Sequence, residues 1–232
     1  MPQRAAIFTP EIFRFFRQLA RNNHKPWMDA NRGRYEEHVV APFRALLETL
    51  TPALIEIDPS FDVHGLTGVN FTRINRDIRF RPDVGPYHAH MYLTIVGQGV
   101  KGRTAGQLYA GISAKTVTVG FRIYGEKKKE GPLAEIAVPR ALKHGAWLEK
   151  QKQRLGGKYK SYWYAMEKGE WNKKEGWPLA PEEWNKIRGW IVRREMQPSV
   201  VTRPRFAAEI ARTFRDLYPL YVFASQPGRK PE

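Results

Sequence analysis

Residues 116–124, TVTVGFRIY, alternate between apolar and other side chains, and this pattern decides the fold class. Val117, Val119, Phe121 and Ile123 fall on one side of an extended chain. A period of two residues is typical of a half-buried β-strand. The stretch therefore predicts a strand that places one face on a hydrophobic core.

Two shorter apolar stretches, residues 91–96 and 108–112, come before this strand and are candidate strands themselves. Residues 113–115 form a plausible hairpin connection to the strand that follows. No segment of helical length separates these strands, which favours antiparallel pairing. We predict a mainly antiparallel central sheet over about residues 68–125.

Helical patterns flank the sheet on both sides. A helix starts at Thr9-Pro10-Glu11, and a second, capped by Asp29, carries apolar residues at helical spacing and is kinked or divided at Pro42. Beyond the sheet, the sequence predicts helices over residues 133–155 and 181–191 and from about residue 204, with a partly ordered loop over residues 158–178.

The expected fold class is α+β, with N-terminal and C-terminal helices packed on the sheet. Residues 1–225 are expected to form a single domain, and residues 226–232 a disordered tail. No apolar run reaches the length of a membrane span, and the first residues lack the apolar core of a signal peptide. We expect a cytoplasmic protein with no membrane association.

The charge of the chain is strongly positive: 39 Lys and Arg residues oppose 23 Asp and Glu residues, a net charge of +16. Such a field attracts nucleic acid and other phosphate-bearing polyanions. The chain has no cysteine, which excludes disulfides and thiol nucleophiles. It also lacks a phosphate-binding Walker loop and a His-Glu-x-x-His motif, and we expect no cofactor.

A polar stretch from Arg73 to His90 is the first candidate site. It contains four arginines within nine residues, and arginine makes forked contacts with phosphate and carboxylate. The residues predicted to bind an anion or substrate are Arg73, Arg76, Arg79 and Tyr87, with Asn23 and Trp27 at the edge of the same pocket.

In a catalytic interpretation of this stretch, His90 is the general acid or base and Asp77 orients it. In a purely structural interpretation, the Arg–Asp pairs lock a loop to the sheet. His88 and His90 share one face and, with Asp77 or Asp83, suggest a metal site, but no third histidine is near in sequence. We therefore predict no metal site.

A second candidate site combines lysines and tryptophans. Residues 147–190 hold six of the seven tryptophans, with lysines interleaved among them. Exposed aromatic rings between basic residues suit stacking on unpaired bases. In the alternative interpretation, the tryptophans form core and the lysine stems cover their rings. The residues predicted to contact nucleic acid are Lys158, Lys160, Trp163, Trp171, Lys173 and Lys174.

Three motifs resemble an uncharacterised, mainly bacterial family, domain of unknown function 2461. The first is NNHKPWMDAN, residues 22–31; the second is RINRDIRF, residues 73–80, followed by Pro86-Tyr87 and His90. The third is the strand pair of residues 108–124 with later helices that end in LYPL, residues 217–220. The resemblance implies one α+β domain and a cytosolic bacterial protein, and it implies no activity.

The sequence is compatible with three functions. The first is binding of nucleic acid or another phosphate-bearing polyanion, based on the charge and the Lys/Trp segment. The second is an enzyme acting on a small phosphorylated or carboxylated substrate around Arg76, Asp77, Arg79 and His90. The third is an interaction module that docks an acidic partner protein on the basic face.

Overall fold

A computed structural model describes residues 5–79, 84–100, 105–125 and 131–226. Arg81 and Asp83 of the second motif lie outside these residues, as do residues 227–232 of the predicted tail. The α-helices are α1 (Glu11–Arg21), α2 (Lys25–Ala30), α3 (Arg32–Tyr35), α4 (Ala41–Ile57), α5 (Val138–Lys143), α6 (Gly145–Leu155), α7 (Pro181–Lys186) and α8 (Phe206–Ser225). Two π-helical turns, Glu36–Val40 and Leu133–Ala137, come before α4 and α5, and a 3-10 turn, Pro198–Val200, follows the last strand. The strands are β1 (His90–Ile95), β2 (Gln107–Ser113), β3 (Val117–Tyr124), β4 (Lys160–Glu167), β5 (Glu170–Glu175) and β6 (Ile187–Met196).

The strands form one six-stranded antiparallel sheet in the order β1-β2-β3-β6-β4-β5. Helices come before and after the strands, and the predicted α+β class is confirmed. The predicted hairpin between β2 and β3 is present, and the Ser113 amide donates to the carbonyl of Thr116 at 2.9 Å. Within the described part of the chain, no helix is both long and apolar enough to cross a bilayer.

By its internal packing the chain divides into two compact units. The first comprises Met1–Ile95, Ala110–Thr118 and Glu195–Ala211. Its core contains Phe8, whose ring packs edge-on against Phe43 at 5.3 Å and Phe206 at 5.9 Å between centroids. The buried residues of α1 and α4 repeat at three- and four-residue spacing, which is why these segments are helical.

The second unit comprises Val96–Tyr109, Val119–Arg194 and Arg212–Glu232. Trp190 is fully buried at its centre, and the rings of Trp184, Phe121 and Trp177 pack around it at 5.4 to 5.6 Å between centroids. The Trp190 indole N–H donates to the Ser161 hydroxyl at 3.0 Å. Trp184 and Trp190 are therefore core residues.

The sequence prediction of a loop over residues 158–178 was wrong, because this segment forms the β4–β5 hairpin. Tyr162 and Tyr164 alternate with Trp163 and Ala165, a strand pattern that the charged residues around it obscured. The turn at Lys168-Gly169 has positive φ at both residues, which suits the twist of a tight hairpin.

The prediction of one helix over residues 181–191 was also wrong beyond Lys186. From Ile187 the chain continues as β6, which is buried on both faces over Gly189–Val192. A strand buried on both faces loses its alternation, so its apolar residues can match helical spacing by coincidence.

Two predicted details of the N-terminal helices can be compared with the structure. Asp29, the predicted cap, lies inside α2, whose own cap is His24: the ring Nδ1 of His24 accepts a hydrogen bond from the Trp27 amide at 3.3 Å. The helical stretch that follows begins at Arg32, after Asn31. The helix changes character near Pro42, where a π-helical turn, Glu36–Val40, passes into α4. Proline lacks the N–H that an α-helix needs, which accounts for an irregularity next to it.

Asn70 organises the connection between α4 and β1. Its side-chain oxygen accepts from the amides of Gly65 and Leu66, at 2.9 and 3.1 Å. Its side-chain nitrogen donates to the carbonyls of Asp62 and Thr94, at 2.7 and 3.3 Å. Because Asn70 is fully buried, these bonds satisfy groups that water does not reach.

We expect Asn70→Ala to lower the free energy of unfolding by on the order of 3 kcal/mol, because it leaves buried amide and carbonyl groups without partners. Urea titration followed by circular dichroism measures the change. The control is Asn75→Ala, because the exposed side chain of Asn75 makes no hydrogen bond within the described residues. Equal stability of the two variants would contradict the assigned role of Asn70.

Candidate functional site

The Arg73–His90 stretch is folded back on itself as a short antiparallel ladder. The amide of Arg76 donates to the carbonyl of Pro86, and the amide of His88 donates to the carbonyl of Ile74, both at 2.8 Å. Between them Asn75 pairs with Tyr87. The ladder leads into β1, so the second motif begins as an extension of the sheet.

Asn23 of the first motif clamps this ladder. Its side-chain nitrogen donates to the carbonyl of Tyr87, and its side-chain oxygen accepts from the amide of Tyr87, both at 2.9 Å. Gly85 makes the approach possible, because a Cβ there would lie 2.3 Å from Cγ of Asn23. The two motifs are thus joined at Asn23 and Tyr87, and Tyr87 itself is buried.

Trp27 lies half-buried on α2, with its ring 5.7 Å from that of Phe15 between centroids. Its carbonyl accepts a hydrogen bond from the side-chain nitrogen of Asn31 at 2.9 Å. These contacts give Trp27 a packing role beside the clamp. A contact between Trp27 and a ligand stays a prediction.

Asp77 and Arg79 form a forked ion pair. Arg79 Nε lies 3.0 Å from Oδ1 and Arg79 Nη2 lies 2.6 Å from Oδ2 of Asp77. The side-chain hydrogen bonds of Arg79, followed by its backbone N–H, lower the pKa of the Asp77 carboxyl. Both side chains are more than half exposed, so the pair contributes little to stability.

The geometry brings together only part of the predicted catalytic group. Every hydrogen bond that Asp77 makes to a described residue goes to Arg79, so this carboxylate does not orient His90 here. The rings of His88 and His90 lie 5.0 Å apart on a shared face, as predicted. Among the described residues, no three His, Asp or Glu side chains form a group suited to a metal ion. A catalytic role for His90 stays a prediction.

Arg73 lies in a different setting from Arg76 and Arg79. It is exposed and lines a cavity of about 350 Å³ in the first unit. Arg76, Asp77, Arg79 and His90 are not among the residues that line this cavity. Arg73 therefore borders this partly open cavity, whereas Arg76 and Arg79 lie outside its lining.

In the second unit, aromatic side chains gather on one face of the sheet. The ring of Tyr164 lies 5.8 Å from Trp171 and 6.5 Å from Tyr124, and Tyr124 lies 6.5 Å from Trp171. Trp171 is 41% exposed, and the two tyrosines are partly exposed. We call Tyr124, Tyr164 and Trp171 the aromatic surface.

A glycine opens the space for this surface. Gly189 pairs with Tyr164 across β4 and β6, and a Cβ at Gly189 would lie 2.7 Å from Cδ1 of Tyr124. The ring of Tyr124 thus lies against β6 where no side chain projects, and it reaches towards β4. A larger residue at position 189 would push the rings apart.

Basic groups border the aromatic surface. Lys173 Nζ lies 4.3 Å and Arg193 Cζ lies 5.2 Å from the ring centre of Tyr162, which is buried beneath them. Lys160 pairs with Arg193 in register, so its side chain starts from the same face. Cations over an aromatic face are attracted to it and held near the ring.

The other predicted nucleic-acid contacts lie elsewhere. Lys174 follows Lys173 on the opposite face of β5, and its ammonium lies 3.1 Å from the carboxylate of Glu167. Lys158 Nζ lies 3.9 Å from the carboxylate of Asp216. Trp163 is 5% exposed and pairs with Trp190 on the buried face. Of the predicted set, Lys160, Trp171 and Lys173 lie on one face of the sheet.

Sequence reasoning missed Tyr124, Tyr162, Tyr164 and Arg193. The signal that could have found them is the alternation of residues 161–165, which places Tyr162 and Tyr164 on one face and Trp163 on the other. The assignment of residues 158–178 as loop removed this information. Tyr124 is the last residue of the strand predicted from residues 116–124.

The profile of one family, described as conserved hypothetical protein (DUF2461), matches residues 11–223. The chain belongs to this family. The match confirms the resemblance and covers both the Asn23 clamp and the aromatic surface. A search of curated proteins finds no significant match for this DUF2461 member.

We expect Asn23→Ala to lower the free energy of unfolding by about 1 to 3 kcal/mol, because it removes both bonds to the Tyr87 backbone. The matched control is Asn22→Ala, because Asn22 makes one exposed side-chain bond to the carbonyl of Gln18. Thermal unfolding measured by calorimetry compares the two. If Asn22→Ala costs as much as Asn23→Ala, the clamp is not what holds the motifs together.

Proposed function

We propose that this protein binds single-stranded nucleic acid on the aromatic surface of the second unit. The observation that carries the proposal is the partly exposed cluster of Tyr124, Tyr164 and Trp171 on a sheet face, with Lys173 and Arg193 beside it. Proteins that bind single strands combine stacking rings with a basic path for the backbone.

The rings supply the part of the interaction that charge alone does not. Stacking of an unpaired base on an aromatic side chain contributes about 1 to 3 kcal/mol, and it tolerates any base because every base has a flat π-face. Bases in a duplex are already stacked on each other and are not free to stack on a protein. The surface therefore favours single strands over double-stranded nucleic acid.

The charges beside the rings supply the contact with phosphate. Lys173 is paired with Glu175 at 2.5 Å, but both side chains are largely exposed, so exchanging the carboxylate for a phosphate costs little. Lys160 of β4 and Arg193 of β6 extend the positive charge along these neighbouring strands on the same face. The net charge of +16 attracts a polyanion from a distance.

Docking of an acidic partner protein would also use the basic residues of this surface, but it would not use the exposed aromatic rings. An acidic protein would respond to loss of charge on Lys173 and would not need an exposed indole at position 171. Substitutions of these two residues therefore separate the hypotheses in one assay.

We expect Trp171→Ala to weaken binding of a fluorescently labelled single-stranded oligonucleotide by about 5- to 150-fold, which corresponds to one lost stacking interaction. Fluorescence anisotropy at several salt concentrations measures the affinity. The wild-type affinity should fall steeply as salt rises, because phosphate contacts release counterions. A double-stranded oligonucleotide of the same sequence is the control, and equal affinity for both forms would contradict the proposal.

Lys173 and Lys174 provide a matched pair of substitutions that tests the contribution of positive charge to binding. They are neighbours on opposite faces of β5, are similarly exposed, and each is paired with one glutamate. We expect Lys173→Ala to weaken binding and to reduce the slope of log affinity against log salt by about one. Lys174→Ala removes the same net charge and should leave both quantities nearly unchanged. Equal losses in the two variants would show attraction by net charge and no defined site.

A further inference from the structure

The cavity in the first unit has the composition of a site for a small anion, and this goes beyond the proposed nucleic-acid binding. Its volume is about 350 Å³, within the range of small-molecule pockets. The π-helical turn Glu36–Val40 and Arg44 of α4 form one wall. Residues 71–75, with Thr67 and Met91, form the other side.

Two arginines line this cavity from different elements. Within the described residues, neither Arg44 nor Arg73 makes a hydrogen bond or ion pair through its side chain. Arg73 lies beside Gly68, where a Cβ would stand 3.5 Å from Nε. Elsewhere in this unit, arginines such as Arg34 and Arg79 are hydrogen-bonded to side chains. Arg44 and Arg73 therefore keep their forked donors available for a ligand.

Tyr35 adds a neutral donor to the same space. Its ring is buried, its hydroxyl makes no hydrogen bond within the described part of the chain, and burial raises its pKa to about 12. The hydroxyl therefore stays protonated at neutral pH and can donate to an anionic oxygen. The apolar side chains of Val40, Phe71 and Ile74 complete this part of the lining.

Glu36 limits which anion suits the cavity. Glu36 also lines the space, and its carboxylate makes no hydrogen bond to a described residue. A bare anion would be repelled by it, whereas a ligand hydroxyl would donate to it. The lining thus combines two fixed positive charges with an acceptor for hydroxyl groups.

We propose that this cavity binds a small phosphate monoester that carries hydroxyl groups, of the sugar-phosphate class. Arg44 and Arg73 hold the phosphate, the Tyr35 hydroxyl donates to it, and Glu36 accepts from a hydroxyl group. Planar guanidinium groups match phosphate oxygens in two-point contacts, and two of them balance a doubly charged phosphate. Irregular π-helical turns occur frequently at functional sites, consistent with the wall formed by Glu36–Val40.

Isothermal titration calorimetry with ribose phosphate tests the proposal on the full chain. We expect one site per chain, and we expect Arg44→Ala and Arg73→Ala each to weaken binding by about tenfold or more. Both arginines are exposed and unpaired within the described residues, so the variants should unfold at the wild-type temperature. Arg79→Ala removes the same charge from the same motif outside the cavity, and it should bind as wild type.

Titrations with further variants and with other ligands define the class of ligand. Glu36→Gln should reduce the preference for ribose phosphate over inorganic phosphate, and Tyr35→Phe should weaken both. Ribonate, a sugar acid whose anionic group is a carboxylate and not a phosphate, should bind more weakly than ribose phosphate. Absence of binding, equal loss in Arg79→Ala and Arg73→Ala, or tighter binding of ribonate would each overturn the proposal. Lys173→Ala should leave this affinity unchanged, which separates the cavity from the aromatic surface.

Discussion

The four side-chain hydrogen bonds of Asn70 are the constraint on which the first unit depends. They tie the turn at Gly65-Leu66 and the carbonyl of Asp62 to Thr94 of β1. The backbone of Asn70 adds a further link, because its carbonyl accepts from the Thr94 amide at 2.7 Å. Once Asn70 is fixed against β1, the residues that follow it must run beside the strand. This course of the chain brings residues 72–76 beside residues 86–92 as a ladder. It also sets the position of the Asn23 clamp and of the residues that line the cavity.

We propose two kinds of binding chemistry on different parts of the chain. In the first unit, two guanidinium groups without partners among the described residues and a buried phenol line a small, partly open cavity, which suits a compact anion. In the second unit, partly exposed rings lie on an open sheet face beside cations, which suits an extended ligand with many flat groups. The most distinctive motif contributes to the first mainly through Arg73, because Arg79 is satisfied by Asp77.

The sequence was informative where the apolar residues of a segment keep the period of its secondary structure. The alternation of residues 116–124 located β3, and the start signal Thr9-Pro10-Glu11 located α1. It failed where burial on both faces removed the period, as in β6, or where charge covered a strand pattern, as in β4 and β5. Asn70 could not be recognised in advance, because its partners lie up to 24 residues away and are backbone groups. Tyr124, Tyr164 and Trp171 likewise meet only through strand pairing.

The position of β5 at the end of the strand order has a consequence for solubility. An edge strand presents backbone donors and acceptors that can recruit a strand from another molecule, and charged side chains discourage such pairing. Glu170, Lys173, Lys174 and Glu175 occupy four of the six positions of β5. Any change that enlarges the aromatic surface at the expense of these charges would also favour self-association. The strand that presents Trp171 is therefore constrained to remain highly charged.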